Sequence, residues 1–160
     1  MDAAKLENIP VRGYVSCVTD CPYDGVVSPL KVAEVSKALT DMGCFEVSLG
    51  DTIGSGTPEK VSDMLNAVLE QVLASKLAGH FHDTSNTALD YITVSLEAGL
   101  RVFDSSVGGL GGCPYAPGAK GNVATESVIE LLHQAGYSTG LDLDQVNEVA
   151  RFAKTLSTAS

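Results

Sequence analysis

The sequence predicts an α/β fold assembled from (βα) units of the TIM-barrel type. Four apolar, β-rich runs alternate with amphipathic stretches at intervals of roughly 25 to 35 residues, the pattern of a parallel sheet joined by helical crossovers. Each run closes on polar residues, and that edge of a parallel sheet is the one that presents binding groups. No glycine-rich dinucleotide fingerprint accompanies the repeats, which favours barrel units over a Rossmann sheet.

The first run, VRGYVSCV (11–18), ends on Thr19 and Asp20. The helix after it opens at Ser28 as N-cap, with Pro29 at its first position. Leu30, Val32, Ala33, Val35, Ala38, Leu39 and Met42 recur at helical spacing, and Gly43 stops the helix. The second run, CFEVSLGD (44–51), carries Ser48, Asp51 and Thr52 at its end. Thr57 caps the next helix, Pro58 and Glu59 begin it, and Val61, Met64, Leu65, Val68, Leu69 and Val72 form its stripe. The third run, KLAGHFHD (76–83), brings His80, His82, Asp83 and Thr84 to the same edge. A third helix follows with Leu89, Ile92 and Leu96, and Gly99 ends it. The fourth run, LRVFDSSV (100–107), contains Asp104, Ser105 and Ser106. A helix over 122–136 stops at Gly136, and the stretch DLDQVNEVARFAKTL reads as a final amphipathic helix.

A closed barrel of this type needs eight strands and about 250 residues. Four strands predict a half-barrel or an open sheet, with two edges available for pairing with another chain or a second copy. At 160 residues and 44% hydrophobic content the chain can bury one core, so residues 1–160 are expected to form a single domain. No apolar run is long enough to cross a bilayer. The first residues show no apolar leader and no Arg/Ser-rich transit character. A net charge of −10 argues against nucleic acid, which needs a basic surface.

Of the four cysteines, Cys17 and Cys21 lie close together, but Cys44 and Cys113 do not complete a zinc pattern. Without a secretion signal, a disulfide framework is not expected. Cys17 and Cys44 are expected in the core.

The strongest chemical pair is His80 and His82. On a strand, residues two apart share a face, so the two imidazoles converge and Phe81 points into packing. That arrangement suits a divalent metal, with oxygen ligands supplied from elsewhere. The other reading is two polar residues hydrogen-bonded at a strand end. His133, on a helix, is expected at the surface. Asp51 can orient a ligand, or can tie the glycine-rich turn that follows it. DTIGSGTPEK lacks the lysine of a phosphate loop. Cys113 sits in GLGGCPYAPGAKGN, a segment of turns that leads into a helix N-terminus and holds Lys120; both features favour a thiolate. A structural cysteine in a surface loop is the alternative.

VRGYVSC, CPYDG, GCFEVSLGDTIGSGTP, HFHDT and DSSVGGLGGCPYAPGAKGNVATE together resemble the 3-hydroxy-3-methylglutaryl-CoA lyase family over about residues 11–152. The cysteine loop is the most specific part; the histidine motif alone also fits isopropylmalate and homocitrate synthases and pyruvate-type aldolases. The resemblance implies a (βα)8 barrel that uses Mg²⁺ or Mn²⁺ to cleave an acyl-CoA into acetyl-CoA and acetoacetate. It implies His80, His82 and Asn122 as metal ligands, and Cys113 and Asp51 as catalytic residues. Tyr14 and Ser48 would line the substrate cavity. It further implies that this chain is the carboxyl-terminal half. The family's amino-terminal half carries an Arg-Asp pair and a glutamate that this sequence lacks, so the isolated chain is expected to be inactive or nearly so. A related synthase or aldolase fragment, or a non-catalytic half-barrel, are the alternatives. The family occurs in mitochondria, peroxisomes and the bacterial cytosol. Where its motif continues after the histidines with an aromatic residue and a glycine, this chain has Ser85 and Asn86.

Overall fold

The computed structural model describes residues 1–112 and 121–157. A short helix α1 (Asp2–Leu6) leads into β1 (Arg12–Ser16), followed by a hairpin of β2 (Asp20–Cys21) and β3 (Gly25–Val26). The repeats then run α2 (Pro29–Met42), β4 (Glu46–Asp51), α3 (Pro58–Leu69), β5 (Leu77–Phe81), α4 (Ala88–Glu97) and β6 (Phe103–Asp104). Two helices close the chain, α5 (Thr125–Gln134) and α6 (Leu143–Ser157).

Strands β1, β4, β5 and β6 form one sheet in that order, every neighbour parallel. Each crossover between them is a helix, as parallel pairing requires. The helix boundaries follow the expected chemistry. Pro29 occupies the first turn of α2, and Gly43 ends it with φ +100°, a conformation open to glycine and costly for other residues. The Thr57 hydroxyl accepts the Lys60 N–H at 3.3 Å. Ser28 stands at the N-cap of α2, but its hydroxyl makes no capping bond.

Alternation along the strands separates two chemistries. Val47 and Leu49 of β4 and Leu77 and Phe81 of β5 pack against Val61, Met64, Leu65 and Val68 of α3 and Tyr91 and Ile92 of α4, all buried. Phe81 meets Tyr91 edge-on at 5.6 Å. Arg12, Tyr14, Glu46, Ser48, His80 and Asp104 form a polar network on the opposite face. That face is concave. Arg12 and Asp104 belong to the two outermost strands, which three spacings of about 4.8 Å would hold apart in a flat sheet. Their side chains nevertheless bond at 2.9 Å, so the sheet curls strongly.

Two expectations are corrected. The fourth run forms a strand only over Phe103–Asp104, because beyond Phe81 the ladder of β5 is taken over by residues 121–123. The CPYDG stretch makes the β2–β3 hairpin, stitched across Asp20↔Val26 and Cys21↔Gly25. Cys44 is in the core, but Cys17 is half-buried, at φ +59°, with its sulfur 3.5 Å from the Thr52 hydroxyl. His133 is exposed, as expected, with Nε2 3.2 Å from the Thr139 hydroxyl.

Candidate active site

Parallel pairing sets Gly50 beside His80 and His80 beside Asp104, which gathers the strand ends of β4, β5 and β6. The His80 and His82 rings lie 5.5 Å apart, inclined at 42°. Across from His82 stands Asn122, in an antiparallel bridge. Val123 N–H donates to the Phe81 carbonyl at 3.1 Å, and Asp83 N–H donates to Gly121 at 3.0 Å. The same segment is tied to β6's extension: Ser106 N–H donates to Val123, and Thr125 N–H to Ser106. Backbone bonding therefore brings the three candidate ligands together.

Asn122 is held in a defined orientation. Its Nδ2 donates to the Leu110 carbonyl at 3.0 Å, leaving Oδ1 at the other end of the amide. Gly111 and Gly121 pack backbone to backbone beside it, and a Cβ on Gly121 would overlap the Gly111 carbonyl. Gly111 and Gly121, which flank residues 113–120, thus meet beside Asn122. Cys113 itself lies outside the described residues.

His82 is 5% exposed, and its Nδ1 has no hydrogen-bond partner among the described residues. A buried imidazole nitrogen left in that state is costly, and a bound cation or water relieves it. Burial, and then the neighbouring His80, lower the pKa of His82, with Asp51 opposing. Two imidazoles and an amide oxygen are a donor set that a divalent cation accepts. Among the described residues no three His, Cys, Asp or Glu side chains converge on one point.

Asp104 is the hub of the concave face. Its Oδ2 accepts from Ser48 Oγ at 2.8 Å and Arg12 Nη1 at 3.0 Å, and lies 3.2 Å from His80 Nδ1. Arg12 Nη2 meets Oδ1 at 2.9 Å, and Arg12 Nε donates to Glu46 at 2.6 Å. Burial opposes ionisation of Asp104, but bonds from His80, Arg12 and Ser48 outweigh it and hold the carboxyl far below the usual range. Arg12 is likewise driven above its ordinary value by Asp104, Glu46 and Tyr14, against the cost of burial.

The remaining sequence candidates are placed as follows. Tyr14 is 58% exposed; its hydroxyl accepts from Arg12 at 2.7 Å, and its ring lies 5.1 Å from the guanidinium carbon. Ser48 is buried, with its hydroxyl committed to Asp104. Asp51 is fully buried, and its carboxylate accepts the N–H groups of Gly54 at 3.2 Å and Gly56 at 2.9 Å. It ties the 51–56 loop, which Tyr91 secures by donating to the Gly56 carbonyl and Ser85 by donating to Gly54 at 2.8 Å. Asn86 adopts φ +58°, a conformation that asparagine tolerates better than most residues.

Sequence reasoning missed Arg12 and Glu46 and noted Asp104 only as a polar strand end. The available signal was parity: Arg12 shares a face with Tyr14, and Glu46 with Ser48.

Comparison with known proteins points to one family. The HMGL-like family profile matches residues 4–153. Hydroxymethylglutaryl-CoA lyase of Pseudomonas mevalonii is 52% identical over 159 residues, spanning 99% of this chain and 53% of that protein. The crystal structure of HMG-CoA lyase from Brucella melitensis superposes with a TM-score of 0.94 at 60% identity, over 97% of this chain and 55% of that one. An HMG-CoA lyase from Acinetobacter baumannii, solved with coenzyme A and 3-methylmalate, matches with a TM-score of 0.84 at 34% identity, over 91% of this chain and 48% of that one. The chain spans about half the length of these relatives, and its four-stranded parallel sheet corresponds to about half of their barrels.

Proposed function

The chain belongs to the HMGL-like family, and from that premise we propose that it is the carboxyl-terminal half of a hydroxymethylglutaryl-CoA lyase and carries the metal-binding side of its site. The observation that bears this reading is the bridge between His82 and Asn122 beside His80, at the neck of the Cys113 loop. His80, His82 and the Asn122 amide oxygen would hold Mg²⁺ or Mn²⁺. When bound, the cation would lower the pKa of the substrate's tertiary hydroxyl and offset the charge that develops as the carbon–carbon bond breaks.

This chain's own residues would do the rest. Cys113, two positions along the chain from Gly111, would deliver a proton to the carbon released as acetyl-CoA. Asp51 would act by holding the 51–56 loop against residues 82–85. Tyr14, exposed on β1, would meet the acyl chain, and Ser48 would serve that cavity through Asp104. The outer edges of β1 and β6 are where the remaining strands, or a second copy, would pair.

Titration with Mn²⁺ tests the metal side directly: the native chain is expected to bind, and His80→Ala and His82→Ala to lose binding at least tenfold. The chain alone is expected not to cleave hydroxymethylglutaryl-CoA. Co-expression with the amino-terminal half of the Pseudomonas mevalonii enzyme is expected to restore acetoacetate release, and Cys113→Ser in this chain to reduce it. Cleavage by the isolated chain, or restored activity indifferent to His80, would overturn the reading.

A further inference from the structure

The concave face holds a chain of bonds that the ligand set does not require. Asp104 Oδ2 receives Ser48 Oγ, Arg12 Nη1 and His80 Nδ1 within 2.8–3.2 Å, while Arg12 Nη2 closes on Oδ1. An ionised carboxylate only accepts hydrogen bonds. The His80 nitrogen facing it must therefore carry the proton. In a neutral imidazole that leaves the other nitrogen, Nε2, with the bare lone pair that a cation needs.

We propose that Asp104 is a positioning residue for His80: its carboxylate, oriented by Arg12 and Ser48, fixes His80 in the Nδ1–H form and so makes Nε2 the ligating atom. This rests on the metal reading above for its purpose, but not for its geometry. Arg12 comes from β1, Ser48 from β4, His80 from β5 and Asp104 from β6, so all four strands set one ring. Glu46 fixes the far side of Arg12 at 2.6 Å. Carboxylate partners of this kind raise ligand basicity, and their loss typically weakens metal binding by about 10- to 100-fold.

The test uses the full chain labelled with ¹⁵N-histidine. Long-range proton–nitrogen spectra distinguish the two neutral forms without any metal. His80 is expected as Nδ1–H in the native chain. Asp104→Asn is expected to give a mixture of forms and to weaken Mn²⁺ binding by about tenfold or more. Glu46→Gln, which leaves Asp104 in place, is expected to preserve the His80 spectrum. A native His80 protonated at Nε2 would overturn the proposal even if no variant folds. An unchanged His80 form in a folded Asp104→Asn chain would overturn it as well. A shift of form in Asp104→Asn, in a chain that binds no Mn²⁺, supports the positioning and rejects the metal reading beneath it.

Discussion

Arg12 and Asp104 stand on the two outermost strands of the sheet and still meet at 2.9 Å. The pair draws the concave face together, and the other groups of that face are arranged around it. Both side chains are about four-fifths buried, and Arg12 also neutralises Glu46. Arg12→Gln would leave two partly buried carboxylates without their cation. We expect a loss of about 1–3 kcal/mol, below the range for fully buried pairs because water still reaches these groups. Urea unfolding measures it, and an unchanged midpoint would show that the pair does not hold the face.

Asp51 accepts two backbone N–H groups in a fully buried position. Asp51→Asn keeps the shape but turns an amide NH₂ toward one of those donors. A loss of about 1–3 kcal/mol is expected from the unsatisfied donor. Equal stability of the two proteins in guanidinium would point away from a loop-holding role.

The neck of the cysteine loop offers a paired comparison. A Cβ on Gly121 would overlap the Gly111 carbonyl, whereas one on Gly112 meets nothing within 4 Å among the described residues. Gly121→Ala should separate the two backbones, displace Asn122 from His82 and cost about 1–3 kcal/mol in strain. Gly112→Ala should be close to neutral. Thermal melting of both variants, with Mn²⁺ titration, reads the difference; similar behaviour of the two would show that the contact between residues 111 and 121 does not hold Asn122 in place.

Glu126 gives a pH signature away from the histidines. Its carboxylate is 13% exposed, receives Gly108 N–H at 3.0 Å and pairs with Lys154 at 3.4 Å. Burial works to raise its pKa, but the Gly108 N–H and Lys154 prevail and lower it. A carboxyl depressed in the folded state adds stability above its unfolded pKa of about 4.3, and that contribution fades as pH falls through the folded value. Glu126→Gln should therefore be less stable than the native chain near neutrality, and the gap should close in acid. A gap that persists undiminished below the folded pKa would contradict the assignment.

Much of this was legible in local sequence because its causes are local. Pro29 and Gly43 bound α2, Thr57 starts α3, and the H-x-H spacing places two imidazoles on one side of a strand through period-two geometry alone. Asn122 entered only through the resemblance, since nothing near it in sequence marks it as opposite His82. The short fourth strand was not legible either. Its length depends on which segment wins the ladder of β5, a competition between residues far apart in the chain.

The sequence by itself determined the alternation of strands and helices, the apolar face that packs the helices, and the polar chemistry delivered to the strand ends. Those follow from side-chain period, capping and turn residues. Only the tertiary structure decided that Asp51 turns to its own loop, that Asn122 returns to His82, and that Asp104 gathers Arg12, Ser48 and His80. These are bonds between groups brought together by the curl of the sheet, and that curl is a property of four paired strands that no single stretch of the chain contains.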